Sequence, residues 1–421
     1  MFALLKGRQG AGAGSLYVAV AFATSGLLTF VFHGYAGRSL GPAGYGDFGV
    51  MWTAVFLVAQ VLWIGVSQTL GRYVAEREAR GEDVRPVISS ARRLTLALLT
   101  AFLLVALPAS LWLSGALFEG DWLLTLAFVA AVAAYAPEYF RRGTFGGHRQ
   151  FARLGALHVA ESSSRVLIAV ALLAAGAGMV GPAAAVVVAP LVGVLAVRPI
   201  PAEPPEKEGA PFSAIGAFRF AGPVLACVAF AQALMNGGPI LLRLMGGTSA
   251  EIALLVAALI LARTPQYVLS PVVASLLPHA SRSLATGGVA GFDRFIARAS
   301  AAVGAIGVAM VAGTWLFGVW AVKLVYSESF TADRGLLATF AALAAFYLLS
   351  ETLNQALFAL GRARLAALGW LCGLLCAAVC LLALPLGSVE RVAVSLALGT
   401  LAAALAQAIF YLGARSRAAG L

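Results

Sequence analysis

The chain is 421 residues long, 61% hydrophobic and 11% charged, with a formal net charge of +11. A soluble domain carries about 25% charged residues, so the composition excludes one and indicates an integral membrane protein. Nor does the positive charge indicate a nucleic-acid partner, because blocks of basic residues interleaved with aromatics are missing.

A membrane-crossing helix needs about 20 apolar residues. Twelve runs qualify: 15–35, 49–71, 94–117, 121–140, 154–176, 179–197, 214–236, 250–276, 300–324, 335–358, 364–386 and 389–413. Helices are expected because hydrocarbon offers no partner to open backbone groups, and the runs are too long for barrel strands of about 10 residues. The first run follows Lys6 and Arg8 and contains Ala21-Phe22-Ala23, which resembles a leader cleavage site. Its apolar stretch continues to Phe32, so it is read as a retained first helix.

Between the first two runs stands GRSLGPAGYGDFG, Gly37 to Gly49. Glycine permits positive φ and Pro42 fixes one φ, so Leu40 to Phe48 is expected to reverse the chain as a short external connector. A diluted copy, RLMGGTSAEIALL, begins at Arg243, and placing Arg38–Gly41 on Arg243–Gly246 sets an offset of 205 residues. A second match places Glu138, Arg141, Arg142 and Phe145 on Glu351, Asn354, Gln355 and Phe358.

The Pro- and Glu-rich segment from Val197 to Ser213 separates six runs from six. The expected organisation is an N-terminal bundle, 1–197, a cytoplasmic linker, 198–213, and a C-terminal bundle, 214–421. An even number of spans in each half starts both on the same side, so the repeats are expected to be parallel, with substrate sites between the halves.

Most of the 29 basic residues fall on alternate loops: Lys6 and Arg8, Arg72 to Arg93, Arg141 to Arg153, Arg198 to Arg219, Arg282 to Arg298, Arg362 and Arg364, and Arg415 and Arg417. The opposite loops keep Arg38, Arg243, Lys323, Arg334 and Arg391. This bias puts both termini and the linker in the cytoplasm.

Charges inside the runs are expected to face protein or a wet cavity, since insertion of one costs at least about 2.5 kcal/mol. Glu161 and Arg165 are four apart and can pair on one helix face, with Ser162 to Ser164 between them. Arg263 has its nearest acid along the run, Glu251, about 18 Å away, and Pro265 and Pro271 are expected to kink the helix there. Counted from the run ends, Arg165 and Arg263 each lie within about 5 Å of mid-bilayer, one in each half. Two guanidinium forks at one depth suit a diphosphate; the alternative is that they pair with Glu138 or Glu351. Glu138, Arg141, Arg142 and Glu351, near the cytoplasmic ends of their runs, are the expected inner gate.

His33, His148, His158 and His279 are scattered, and Cys227, Cys372, Cys376 and Cys380 lie inside apolar runs as small packing residues. No metal spacing, cofactor motif or catalytic constellation appears, and no extracellular loop is large enough to hold an active site. The chain is therefore not expected to be an enzyme; an integral-membrane glycan-modifying enzyme is the weakest alternative.

The Gly37–Gly49 turn, the basic loop after the second run, and the turn Phe145-Gly-Gly-His-Arg-Gln-Phe-Ala together resemble the polysaccharide biosynthesis flippases. These are O-antigen-type lipid-linked oligosaccharide transporters of the multidrug, oligosaccharidyl-lipid and polysaccharide exporter superfamily. The resemblance implies an all-α fold of twelve transmembrane helices in two six-helix bundles around a central cavity. It also implies alternating access in a bacterial or archaeal inner membrane, with an undecaprenyl-diphosphate-linked anionic glycan carried from the cytoplasmic to the outer leaflet. Membrane lipids and other polysaccharide assembly proteins would be its partners. The lipid II flippase is similar in fold but carries arginines in its first helix, where this chain has Thr24, Ser25 and Gly26. Drug extruders of the superfamily commonly carry an acid in helix one. Here the first two runs offer His33, Gln60 and Gln68 without a carboxylate, so cation-coupled efflux is the second reading.

Overall fold

The computed structural model describes residues 11–200 and 214–419, with side chains at 17–200, 222–266 and 290–416. Among the described residues the chain forms ten helices and no strand: α1 Ala11–Ala79, α2 Arg85–Leu117, α3 Trp122–Gly147, α4 Phe151–Ala174, α5 Val180–Ala196, α6 Ala214–Leu244, α7 Ser249–Val325, α8 Arg334–Ala359, α9 Ala363–Ala383 and α10 Ser388–Ala419. Ten described stretches are long and apolar enough to cross a membrane, and α5 is a shorter apolar helix. The chain is a multi-pass, all-helical membrane protein.

The twelve apolar runs fall on ten helices because two junctions contain no loop. The run pair 15–35 and 49–71 shares α1, and the pair 250–276 and 300–324 shares α7. Of the expected linker only residues 198–200 are described; the remainder, Lys207 included, lies outside the described residues.

The expected reversal between the first two runs is present but shorter than Leu40–Phe48. Residues 12 apart in a straight helix are separated by about 18 Å, yet His33 Nδ1 and the Tyr45 hydroxyl are 2.8 Å apart. One residue makes the fold-back: Gly41 has φ 67 and ψ 177, a region essentially restricted to glycine. Pro42 follows at the start of the second arm, where it lacks only an N–H that a helix start leaves unused. Gly246, placed on Gly41 by the repeat, also has positive φ, 82°. In α7 the backbone stays helical through Pro265 and Pro271, and the break falls instead at Gly288, with φ 62 and ψ −167.

The chain divides into two compact units. The first comprises Met1–Phe32 and Met51–Leu225, the second His33–Val50 and Ala226–Leu421. The middle of α1 therefore clusters with the C-terminal half of the sequence. In the first unit, fully buried Trp63 of α1 donates from its indole N–H to Val132 O of α3 at 2.9 Å. At one corner Leu70 and Val74 of α1 pack on Val84, Val87 and Ala91. Asp121 caps α3 by accepting from Leu123 N and Leu124 N.

In the second unit three contacts hold the His33–Val50 segment. Arg38 donates from Nε to Val325 O at 2.9 Å and from Nη2 to Leu324 O, satisfying carbonyls at the end of α7. Tyr45 donates to the Tyr326 hydroxyl at 3.2 Å. Asp47 Oδ1 accepts from Arg243 Nη2 at 2.5 Å and from the Ser249 hydroxyl at 2.6 Å. Deeper in the unit, the buried Gln407 amide of α10, with its O and N assigned by its neighbours, donates to Ser350 O at 2.7 Å and accepts from Trp370 Nε1 at 3.1 Å, tying α8, α9 and α10 together.

Candidate functional site

Helical spacing assembles a polar cluster inside the first unit. Tyr135, Glu138, Tyr139 and Arg142 recur at three- and four-residue intervals on α3, and His158, Glu161 and Arg165 do so on α4, so each set shares one face. Glu138 Oε1 accepts from Arg142 Nε at 3.0 Å and from Nη2 at 2.6 Å. The same Nη2 reaches Glu161 Oε2 at 3.1 Å, so Arg142 bridges two helices and two acids. Arg165 donates from Nη2 to Glu161 Oε1, forming the intrahelical pair that the spacing allows, and to the Tyr135 hydroxyl at 2.9 Å. The Tyr135 hydroxyl in turn donates to Glu161 Oε1 at 2.9 Å. Trp52 and Phe56 of α1 cover the Arg165 guanidinium, 5.2 and 5.8 Å from their ring centroids, a cation–π arrangement. Tyr139 covers Arg142 at 4.5 Å.

Two acids and two arginines balance, which is how apolar surroundings tolerate ionised groups. Glu138 is fully buried, and its Oε2 finds no hydrogen-bond partner among the described residues. Glu138, His158 and Glu161 bring ligand atoms within 4.8 Å of one another. A cation there would compete with the two guanidiniums that already hold three of the four carboxylate oxygens. Arg141, on the same helix, is half-buried and has no ion pair to Glu138 or Glu161 among these contacts.

The second unit holds Arg263 and Glu351. Arg263, half-buried on α7, donates from Nη1 to Asn236 Oδ1 at 2.7 Å. Asn236 in turn donates to Gln232 Oε1 at 2.5 Å, one turn back on α6. An amide orients a guanidinium without adding a charge. Glu351 of α8 has Asn354 as a polar neighbour one turn on, and Tyr347 lies one turn earlier. The sequence reading had singled out Arg263 and Glu351 but not Asn236 and Gln232. Two amides four residues apart inside an apolar run were the signal that could have found them.

Residues 11–284 match the family model described as polysaccharide biosynthesis protein. The chain belongs to that family. Uncharacterized proteins of Mycobacterium tuberculosis and Mycobacterium bovis are 25% identical to it over 412 residues, which cover 94% of this chain and 92% of theirs. Among solved structures, the fold matches the inward-facing form of a multidrug resistance MATE family transporter of the MOP superfamily. That match has a TM-score of 0.73 and 17% identity over 96% of this chain and 98% of the other. A MOP superfamily transporter from Pyrococcus furiosus, whose binding pocket is described as reversed in polarity, matches with a TM-score of 0.68 and 16% identity over 99% and 97%. Family and fold together describe a polysaccharide biosynthesis protein built on the helical membrane fold that these transporters share.

Proposed function

We propose that this member of the polysaccharide biosynthesis family flips a polyprenyl-diphosphate-linked glycan from the cytoplasmic to the outer leaflet by alternating access, with both termini in the cytoplasm of a bacterial or archaeal cell. The observation that carries the reading is Arg263, a half-buried guanidinium inside an apolar helix, oriented by the neutral pair Gln232 and Asn236. An arginine positioned this way attracts an anion and offers paired N–H groups to phosphate oxygens. Arg165 acts with it from the first unit. Its guanidinium is held by Glu161 and Tyr135, so contact with the cargo requires that this pair open.

The inner gate of this mechanism is formed by Glu138, Arg141, Arg142 and Glu351. Since Glu138 has an arginine partner and Glu351 neutral ones, the two sides of the gate open at different cost. Cation-coupled drug efflux is the second reading, favoured by the transport activity named for the MATE structures.

The test is reconstitution. Proteoliposomes holding the purified protein and a labelled polyprenyl-diphosphate glycan in one leaflet are treated with an impermeant sugar-oxidising reagent. Protein-dependent exposure of the glycan is expected; transport of organic cations without glycan flipping would favour the efflux reading.

A further inference from the structure

The His33–Val50 segment of α1 lies against both ends of α7. On its first arm a Cβ at Gly34 would stand 2.8 Å from Val325 Cγ1, and one at Gly37 would overlap the Tyr326 ring. On its second arm a Cβ at Gly49 would stand 2.6 Å from Val256 Cγ2, and one at Gly46 would overlap the Ser249 carbonyl. Only glycine lets the chains approach this closely. Tyr45 is fully buried there, its ring 5.3 and 5.8 Å from those of Tyr326 and Phe330.

The internal repeat shows what the segment is docked on. Arg38 and Arg243 open the two copies of the same turn, and each holds the segment in place. Arg38 caps the Leu324 and Val325 carbonyls, while Arg243 and Ser249 of the second copy both donate to Asp47 of the first. One copy of the turn is thus docked on the other. Both polar ties keep contact with water, since Arg38 is exposed and Asp47 is 29% exposed. Water can take over their hydrogen bonds if the segment lifts, so release costs less than parting a fully buried ion pair.

We propose that the His33–Val50 hairpin is a reversible latch on the external side, docked on α7 while the path is closed outward and released when the cargo head is delivered. Its arms bend at Phe32–His33 and Val50–Met51, where the chain passes between the two compact units. Equivalent turns of a parallel repeat meet near the axis that relates the halves, the position from which a latch controls exit. The inference rests on the reading of the chain as an alternating-access carrier.

The experiment uses the full-length protein in a background lacking native cysteines. Asp47→Cys with Ser249→Cys places two thiols where the native side chains touch at 2.6 Å, so mild oxidation can tie the hairpin to α7. In proteoliposomes, flipping of the labelled polyprenyl-diphosphate glycan is expected to fall several-fold on oxidation and to return on reduction. Unchanged flipping by the cross-linked protein would overturn the proposal, because transport would then proceed with the hairpin permanently docked. A second arm of the experiment needs no cargo. Val256→Cys, at a fully buried position against Gly49, reports release through labelling by an impermeant thiol reagent applied from outside. Arg38→Ala removes a tie and Gly46→Leu crowds the docking face; each is expected to raise that labelling several-fold, and one serves if the other folds poorly. Labelling indifferent to both variants would also overturn the latch. Raised labelling in a protein that flips no glycan in either redox state would count against the proposed function alone.

Discussion

Arg142 on α3 and Glu161 on α4 form an ion pair at 3.1 Å, while the same guanidinium holds Glu138 at 2.6 Å. One arginine thus satisfies acids on two helices, and Arg165 completes the balance from Glu161's own helix.

Removing a single member should therefore cost more than removing a matched pair. Arg165→Leu leaves Glu161 with less positive charge in an apolar setting and should destabilise the protein by about 3 to 5 kcal/mol. Glu161→Leu with Arg165→Leu should recover much of that loss, since Arg142 keeps Glu138. Thermal unfolding of the three proteins in detergent tests this; a double variant less stable than Arg165→Leu would contradict the account.

Asp47 and Arg243 form a second pair, with the Arg243 side chain only 4% exposed and Asp47 29%. Asp47→Ala should lower detergent stability more than Asp47→Asn, because asparagine still accepts from Arg243 and the Ser249 hydroxyl. Exchange of the two charges, Asp47→Arg with Arg243→Asp, should restore part of what either single change loses. Absence of any recovery in a double-mutant cycle would assign Asp47 to Ser249 alone.

Backbone conformation supplies a third expectation. With φ 67 and ψ 177, Gly41 occupies a region that costs a side-chain-bearing residue about 1 to 3 kcal/mol. Gly41→Ala should therefore destabilise although no atom lies within 4 Å of the added methyl. Loss of this cost in a variant that lengthens the connector by several glycines would confirm that strain, not crowding, is responsible.

These elements differ in how far the sequence announced them. Hydrophobic runs located α4, α5, α8 and α9 to within three residues at each end, because length and apolarity alone define a spanning helix; α2, α3 and α10 extend six to nine residues beyond their runs at one end, into less apolar sequence. The two long helices were not legible: Gly41 and Gly288 bend the chain within one residue, whereas composition at residues 37–49 suggested a longer loop. Within the first cluster, the four-residue spacing made Glu161–Arg165 readable. The reach of Arg142 across to Glu161 depends on how α3 and α4 pack, which no local spacing encodes. The amide pair Gln232 and Asn236 was legible as polar residues four apart in an apolar run, but that Asn236 holds Arg263 depends on how α6 and α7 pack.

Topology follows from the loop charge bias. In a background lacking native cysteines, an impermeant thiol reagent applied to intact cells should label cysteine at Gly44, Gly120 and Ser388, and not at Arg80, Lys207 or Arg364. Labelling at 80 or 364 from outside would reverse the assigned orientation.

The central claim is that Arg263 contacts the anionic head of the cargo, and the most direct measurement is glycan flipping by Arg263 variants at matched amounts of folded protein. Arg263→Ala should abolish flipping with the protein still inserted, and Arg263→Lys should weaken it by keeping the charge while losing the paired N–H geometry. Normal flipping by Arg263→Ala, or loss of folded protein that Glu351→Gln or Glu138→Gln restores, would contradict the account and leave Arg263 as a packing residue.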